Sequence, residues 1–339
     1  MRIAPMMDFP IEEYETRMSN LVAKLDEADC DAVLLTNEEN LRYFCGYRSA
    51  AWNSEYEYPA MMLVARSGKI ALVTSTRRLP GALATACVEE TEILAFDGFG
   101  EQATPGVFAP SIVQALQQLG VTSGKLGTET GLAARMRITY SDYQALFALM
   151  PDMQAMDFAK YIFDLREIKS PREIEVMRKC CAMSVDAFKV GMDKLVLGST
   201  TEEEMYHEYV AACFDMGADD FEYQLIVEFG PDRPQPNCMP GARVYENDDW
   251  CVFVDSGPAL KGYVSDMIRI GKLSEPTKAQ QDFYQISLDC HKTCISMVKP
   301  GVKIGDFCKA HDDFMRAHGV ENICLTMNNS GHGVGMDVH

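Results

Sequence analysis

The sequence predicts a two-domain mixed α/β (α+β) protein: a small α/β domain, then a second domain of duplicated helix–helix–strand units. Three observations lead there. At 339 residues the chain exceeds what one ordinary hydrophobic core supports. Its first half alternates helical and strand periodicities. Its second half repeats one order of elements at a nearly constant spacing.

Taken in order, Ile11 to Ala28 carries the three- and four-residue apolar spacing of a helix, and Ala32-Val33-Leu34-Leu35 is a short apolar strand ending at Asn37. Strands are predicted at Met61 to Val64 and Ile70 to Val73, split by the turn Arg66-Ser67-Gly68. A helix over Ala109 to Leu119 and a strand near Lys125 to Gly127 follow. The domains are expected to span 1–165 and 166–339. Just past that boundary, Ser170-Pro171-Arg172-Glu173 is a helix start: Ser is the N-cap, Pro sits where its missing N–H is not needed, and Glu closes a capping box. Ile174, Met177, Cys181, Val185, Phe188, Met192 and Leu195 then predict the buried face of a helix that ends by Gly198.

A second helix is expected from Thr200, with Glu203 three residues on, to Met216-Gly217, followed by a strand over Tyr223 to Phe229. The order then returns: a helix from Thr277, with Gln280, to Pro300-Gly301, another closed by His318-Gly319, then strand-like residues. Gly198 and Gly301 are 103 residues apart, and Gly217 and Gly319 are 102.

Composition narrows function by exclusion. A net charge of −19 repels nucleic acid, which needs a basic footprint, and disfavours an anionic membrane surface. The N-terminus lacks a basic stretch followed by an apolar one, and no apolar run reaches the roughly 18 residues of a membrane span. The 12 cysteines are scattered through helical patterns without a C-x-x-C ribbon, which fits free thiols in a reducing cytoplasm.

Two segments carry chemistry. In Val252-Phe253-Val254-Asp255-Ser256-Gly257-Pro258 through Ser265-Asp266, an apolar strand ends in Asp, a Gly/Pro turn follows, and a returning strand bears a second Asp. Across a hairpin the two carboxylates can face one another, and their repulsion is relieved by a shared cation. Two turn aspartates would fit the same pattern. In Ser330-Gly331-His332-Gly333-Val334-Gly335-Met336-Asp337-Val338-His339, a His between glycines has room at its ring for a ligand or metal; a plain loop His fits as well.

Together, D-S-G-x5-Y-x-S-D and, about 65 residues later, G-H-G-x-G-x-D-V-H resemble the catalytic half of the aminopeptidase P, prolidase and creatinase family. Leu165-Arg166-Glu167-Ile168-Lys169-Ser170-Pro171-Arg172-Glu173-Ile174 is similar to the start of that half, and Asn40-Leu41-Arg42-Tyr43-Phe44-Cys45-Gly46-Tyr47 to a segment of the family's N-terminal domain. The resemblance implies a pita-bread catalytic domain behind a creatinase-like α/β domain, and a hydrolase cleaving the bond before proline in small peptides. It implies Asp255, Asp266 and His332 as ligands of two divalent ions, Mn²⁺, Co²⁺ or Zn²⁺, about 3.5–4 Å apart, which activate water. It assigns His339, with Arg269, to substrate binding, and His339 to support of the oxyanion. By analogy it implies a cytoplasmic homodimer.

Two departures stand out. The family carries two glutamate ligands in strands after the V-H motif, whereas this sequence ends at His339; a continuation bearing them is expected, and without it the metal site is incomplete. A Pro-His pair usually precedes the Asp hairpin, and here Pro236-Asn237 stands in its place, so Asn237 is the catalytic-loop candidate. Asn donates a hydrogen bond but cannot shuttle a proton. Ile268 and Ile270 replace residues that are usually Thr. These departures keep two alternatives open: a metal-independent creatinase-like C–N hydrolase, and a catalytically impaired binding module.

Overall fold

The computed structural model describes residues 1–50, 52, 60–96, 108–132, 134–221, 225–230, 239–321 and 331–339. They form two units, Met1–Ile174 and Glu175–His339.

In the first unit α1 (Ile11–Glu27) leads into β1 (Ala32–Leu35), α2 (Glu38–Cys45), β2 (Ala60–Ala65), β3 (Ile70–Ser75), α3 (Leu79–Thr85) and β4 (Ile93–Phe96). Then come α4 (Ala109–Leu119), β5 (Gly124–Thr128), α5 (Tyr140–Leu149), β6 (Met153–Asp157) and α6 (Ala159–Glu167). The six strands form one sheet in the order β4-β3-β2-β1-β5-β6. β1 pairs antiparallel with β2 and parallel with β5, so the sheet is mixed. Every residue of β1, β2 and β3 is buried, which explains why these strands read as unbroken apolar runs rather than alternations. Ile112 and Leu116 of α4 pack on Leu34, Leu63 and Leu126 of the sheet. β4 and β6, the two edge strands of the sheet, are only partly buried and are not among the strands the sequence predicts.

α7 (Pro171–Lys194) begins with the expected capping box: the Glu173 amide donates to Ser170 Oγ at 3.2 Å, and the Ser170 amide donates to Glu173 Oε2 at 2.7 Å. Its buried face differs from the expected one. Val176, Cys180, Met183, Ser184 and Ala187 are buried, whereas Ile174 is 42% exposed and Met177, Cys181, Val185, Phe188 and Met192 flank the buried stripe. Small residues decide this. A side chain at Gly191 would meet Met205 at 2.5 Å, so the helix turns its smallest residues inward to approach its neighbour.

In the second unit α8 (Glu202–Asp215), β7 (Asp220–Phe221), β8 (Ile226–Phe229), β9 (Val252–Ser256), β10 (Pro258–Leu260), β11 (Tyr263–Val264) and β12 (Met267–Gly271) precede α9 (Lys278–Met297) and α10 (Ile304–Ala317). The cap of α8 is Thr201 with Glu204, not Thr200 with Glu203. Both pairs satisfy the spacing. The choice falls on Thr201 because it bridges to Val244, while the Glu202 carboxylate accepts the Phe229 amide at 2.9 Å. The repeat is visible in the glycines: Gly198, Gly217, Gly301 and Gly319 all follow helices with φ between 70° and 100°. The strand expected over Tyr223 to Phe229 is observed from Ile226; residues 222–224, and the strand-like residues at 322–330, lie outside the described residues.

β8, β9 and β12 form one small sheet, and β7, β10 and β11 another. Val252, Val254, Val227 and Phe229 turn one face of the first sheet toward Met183 and Ala187 of α7 and Tyr209 and Cys213 of α8. The other face presents Ile226, Asp255 and Ile268 in register.

Candidate metal centre

The two aspartates lie on one long hairpin, but its reversal is not where the Gly/Pro pattern placed it. β9 runs on past Gly257 into β10, and the chain turns at Lys261 (φ 54°) and Gly262 (φ 78°). Two successive positive φ values are those of a two-residue hairpin turn that matches strand twist. This sets the register: Leu260 pairs with Tyr263, Ser256 with Met267, and Asp255 with Ile268. The two carboxylates therefore do not oppose each other directly. Asp266, two residues before Ile268, is the diagonal neighbour of Asp255 on the same face, at a typical separation of about 7–8 Å between Cα atoms. That offset leaves room for a cation between the side chains.

The glycine-rich segment is tied to this hairpin. The Val264 amide donates to the Gly335 carbonyl at 2.8 Å, and Met336 is buried beside it. Gly331, directly before His332, takes φ 149°, a value that favours glycine. As a result Asp266, His332 and His339 each offer a ligand atom, all within 4.8 Å of one another. His332 Nε2 is 2.9 Å from Asp266 Oδ2, and the His339 ring lies 4.2 Å from the His332 ring, tilted by 38°. Asp266 is half-buried; both histidines are exposed.

The tautomer follows from one contact. His332 Nδ1 is 2.9 Å from the Gly333 carbonyl, which can only accept, so Nδ1 carries the proton. Nε2, the ring's other nitrogen, faces the Asp266 oxygen. Two acceptors at 2.9 Å require a cation with them: a second proton on the imidazole, or a metal. Ligand atoms at adjacent positions around an ion with bonds of about 2.1 Å are about 3 Å apart, so the geometry fits a metal. An imidazole fixed by a backbone carbonyl is also the usual arrangement of a metal ligand. Carboxylate and imidazole donors together suit a divalent metal ion.

The other expected residues fall elsewhere. Asp255 shares the face of Asp266 but is not part of the three-residue convergence. Arg269 pairs with Val254, and neighbouring residues of a strand point to opposite faces. It therefore projects away from Asp255, toward Cys181 of α7, whose thiol is pushed up by burial and lowered by the Arg269 charge. Asn237 lies outside the described residues. Sequence reasoning passed over a set of buried hydroxyls, Ser184, Tyr209, Ser256 and Ser265, although D-S and S-D place one serine next to each aspartate.

Residues 175–339 match the model of metallopeptidase family M24, and residues 17–168 that of the creatinase/prolidase N-terminal domain. The second half of the chain belongs to the M24 metallopeptidase family. It is 25% identical over 324 residues to an uncharacterized peptidase of Staphylococcus aureus, covering 96% of this chain and 84% of that protein. Its fold is similar to that of an Xaa-Pro dipeptidase from Bacillus anthracis, with a TM-score of 0.77, 22% identity, and coverage of 96% of this chain and 83% of the other. The prolidase of Pyrococcus horikoshii gives a TM-score of 0.75 at 20% identity, covering 96% and 83%. This M24 chain is thus a metallopeptidase-class hydrolase with a creatinase-type N-terminal domain and a pita-bread domain, and the family implies divalent metal ions. No helix among the described residues is long and apolar enough to cross a membrane.

Proposed function

We propose that this M24 protein is a metal-dependent exopeptidase that cleaves small peptides at the bond preceding proline. The observation that carries the reading is the convergence of Asp266, His332 and His339 beside a second carboxylate, Asp255, on the same sheet face. The likeness to solved structures named as an Xaa-Pro dipeptidase and a prolidase supports the substrate class. Asp266 and His332 would hold an ion, with Asp255 contributing from the diagonal position to a second. When bound, the metal supplies Lewis acidity and an activated water at neutral pH.

The chain's own groups do the rest. The His332 Nδ1–H contact with the Gly333 carbonyl holds the ring so that Nε2 faces Asp266. His339 is exposed against His332 and is placed to donate a hydrogen bond to a substrate carbonyl as negative charge develops there. Ile268 and Ile270, each 50% exposed on the Asp255 face, offer an aliphatic floor suited to a prolyl ring. Mn²⁺, Co²⁺ or Zn²⁺ as the metal, a homodimer and a cytoplasmic location belong to the same reading.

The test is hydrolysis of Xaa-Pro dipeptides and Xaa-Pro-Yaa tripeptides after chelation and after adding back each ion. Cleavage restored by metal in the native chain and lost in Asp266→Asn is the expected result. Metal-independent hydrolysis of a small amide or guanidino compound, with no Xaa-Pro cleavage, would replace the reading with the creatinase-like one.

A further inference from the structure

A chain of buried hydroxyls runs behind the two aspartates. Ser256 and Ser265 directly adjoin Asp255 and Asp266, point to the opposite face of the hairpin, and are each 1% exposed. Ser184 of α7, also 1% exposed, stands between them, its Oγ 2.9 Å from Ser265 Oγ and 3.3 Å from Ser256 Oγ. Tyr209 of α8 closes the chain on Ser256, and Ser256 Oγ lies 3.5 Å from the Met267 carbonyl. One ordering of protons satisfies all of these contacts. Ser265 donates to Ser184, Ser184 and Tyr209 donate to Ser256, and Ser256 donates to Met267.

The position of this chain matters because Asp266 lies between two ladders: β11 ends at Val264 and β12 begins at Met267. The pairing of β9 with β12 likewise stops at Ser256 and Met267. The Ser265 amide still donates to the Pro258 carbonyl at 3.2 Å, so the backbone fixes the register around Asp266, while Asp266 and Gly257 themselves fall between the named strand pairs. The hydroxyl bridge ties the two aspartate segments together from behind within that register, reaching one serine on each from a single side chain on a long helix. Hydroxyls in an otherwise apolar interior cost free energy unless they are bonded, and Val252, Val254 and Ala187 show what the surroundings otherwise hold.

We propose that Ser184 is a positioning residue: through Ser256 and Ser265 it sets the separation of the Asp255 and Asp266 carboxylates, and with it the affinity for a divalent ion. This rests on the reading of those aspartates as metal carboxylates. Outer partners of metal ligands typically contribute 10–100-fold to affinity, and Ser184 acts one residue further out, through the backbone of each aspartate.

The experiment is a Co²⁺ titration of the metal-stripped full chain, followed by calorimetry and by the visible absorption of the bound ion. It compares the native protein with Ser184→Ala, Tyr209→Phe and Asp266→Asn. Ser184→Ala is expected to weaken Co²⁺ binding about tenfold or more and to change the absorption band, which a packing role alone would not move. Tyr209→Phe keeps the ring, reports on the same chain should Ser184→Ala fail to fold, and is expected to lose several-fold. Native affinity and spectrum in Ser184→Ala and Tyr209→Phe, with Asp266→Asn defective, would overturn the positioning role alone. Native binding in Asp266→Asn would overturn the metal reading and this inference with it.

Discussion

Glu129 in the N-terminal unit and Asp266 in the C-terminal unit are both carboxylates beside the end of a strand, and their surroundings differ in kind. Glu129 follows β5 and is 1% exposed. Its Oε2 accepts from the Thr36 amide at 2.6 Å, the Thr36 hydroxyl at 2.7 Å and the Asn37 amide at 3.1 Å, and its Oε1 accepts from Asn40 Nδ2 at 2.6 Å. Asn40 Oδ1 in turn accepts from Arg166 at 2.9 Å. Burial pushes the Glu129 carboxyl up, and these four donors pull it back. Asp266 is half-buried, and its Oδ2 lies 2.9 Å from His332 Nε2. A carboxylate encircled by donors is saturated and serves the fold. A carboxylate grouped with imidazoles at one edge of a sheet offers a ligand atom for a cation, and it serves chemistry.

The contrast is broken most severely by Glu129→Ala. That change leaves two backbone amides and two side-chain donors buried without an acceptor, and is expected to cost about 3–5 kcal/mol in urea unfolding of the N-terminal unit. A loss below about 1 kcal/mol would show that water or rearrangement replaces the carboxylate. His332→Ala should act in the opposite sense. Co²⁺ affinity falls more than about 100-fold, or about 2.8 kcal/mol, while metal-free stability stays within about 0.5 kcal/mol of native. A large drop in metal-free stability would make His332 a structural residue.

Glu129→Gln sharpens the comparison. Its amide oxygen can keep the three contacts at Oε2, but its NH₂ then faces Asn40 Nδ2, whose partner oxygen is committed to Arg166. An intermediate cost of about 1–3 kcal/mol is expected in the same unfolding measurement, and a cost equal to that of Glu129→Ala would deny the retained contacts.

The smallest effect concerns Glu13. Burial raises its carboxyl, but the hydrogen bond with Ser170 and the charges of Arg17 and Arg172 outweigh burial and bring it below the ordinary 4.5. A carboxylate whose folded value is depressed stabilises the protein above its unfolded value and loses that contribution as pH falls through the folded one. Native protein should therefore lose more stability than Glu13→Gln on acidification below about pH 4.5, and should exceed it by about 1–2 kcal/mol at neutral pH. Parallel stability–pH curves for the two proteins would refute this.

Much of the architecture was legible in the chain because local physics decides it. Apolar runs without alternation mark the central strands, and S-P-R-E writes the start of α7 in capping chemistry. Four glycines close four helices at matching intervals, since only a residue without Cβ takes positive φ freely. The candidate ligands Asp255, Asp266 and His332 were likewise nameable from two motifs. What the motifs leave open is which side chains meet. A turn one residue earlier, at Leu260 and Lys261, would have put the aspartates face to face; the observed reversal at Lys261 and Gly262 makes them diagonal. Strand parity sends Arg269 to the far face, and only pairing with β9 reveals that parity. Ser184 lay off the expected apolar stripe of α7, because the helix buries its small residues to approach α8. Spacing along a chain determines which elements form, whereas register and close packing between distant segments decide which groups share a site.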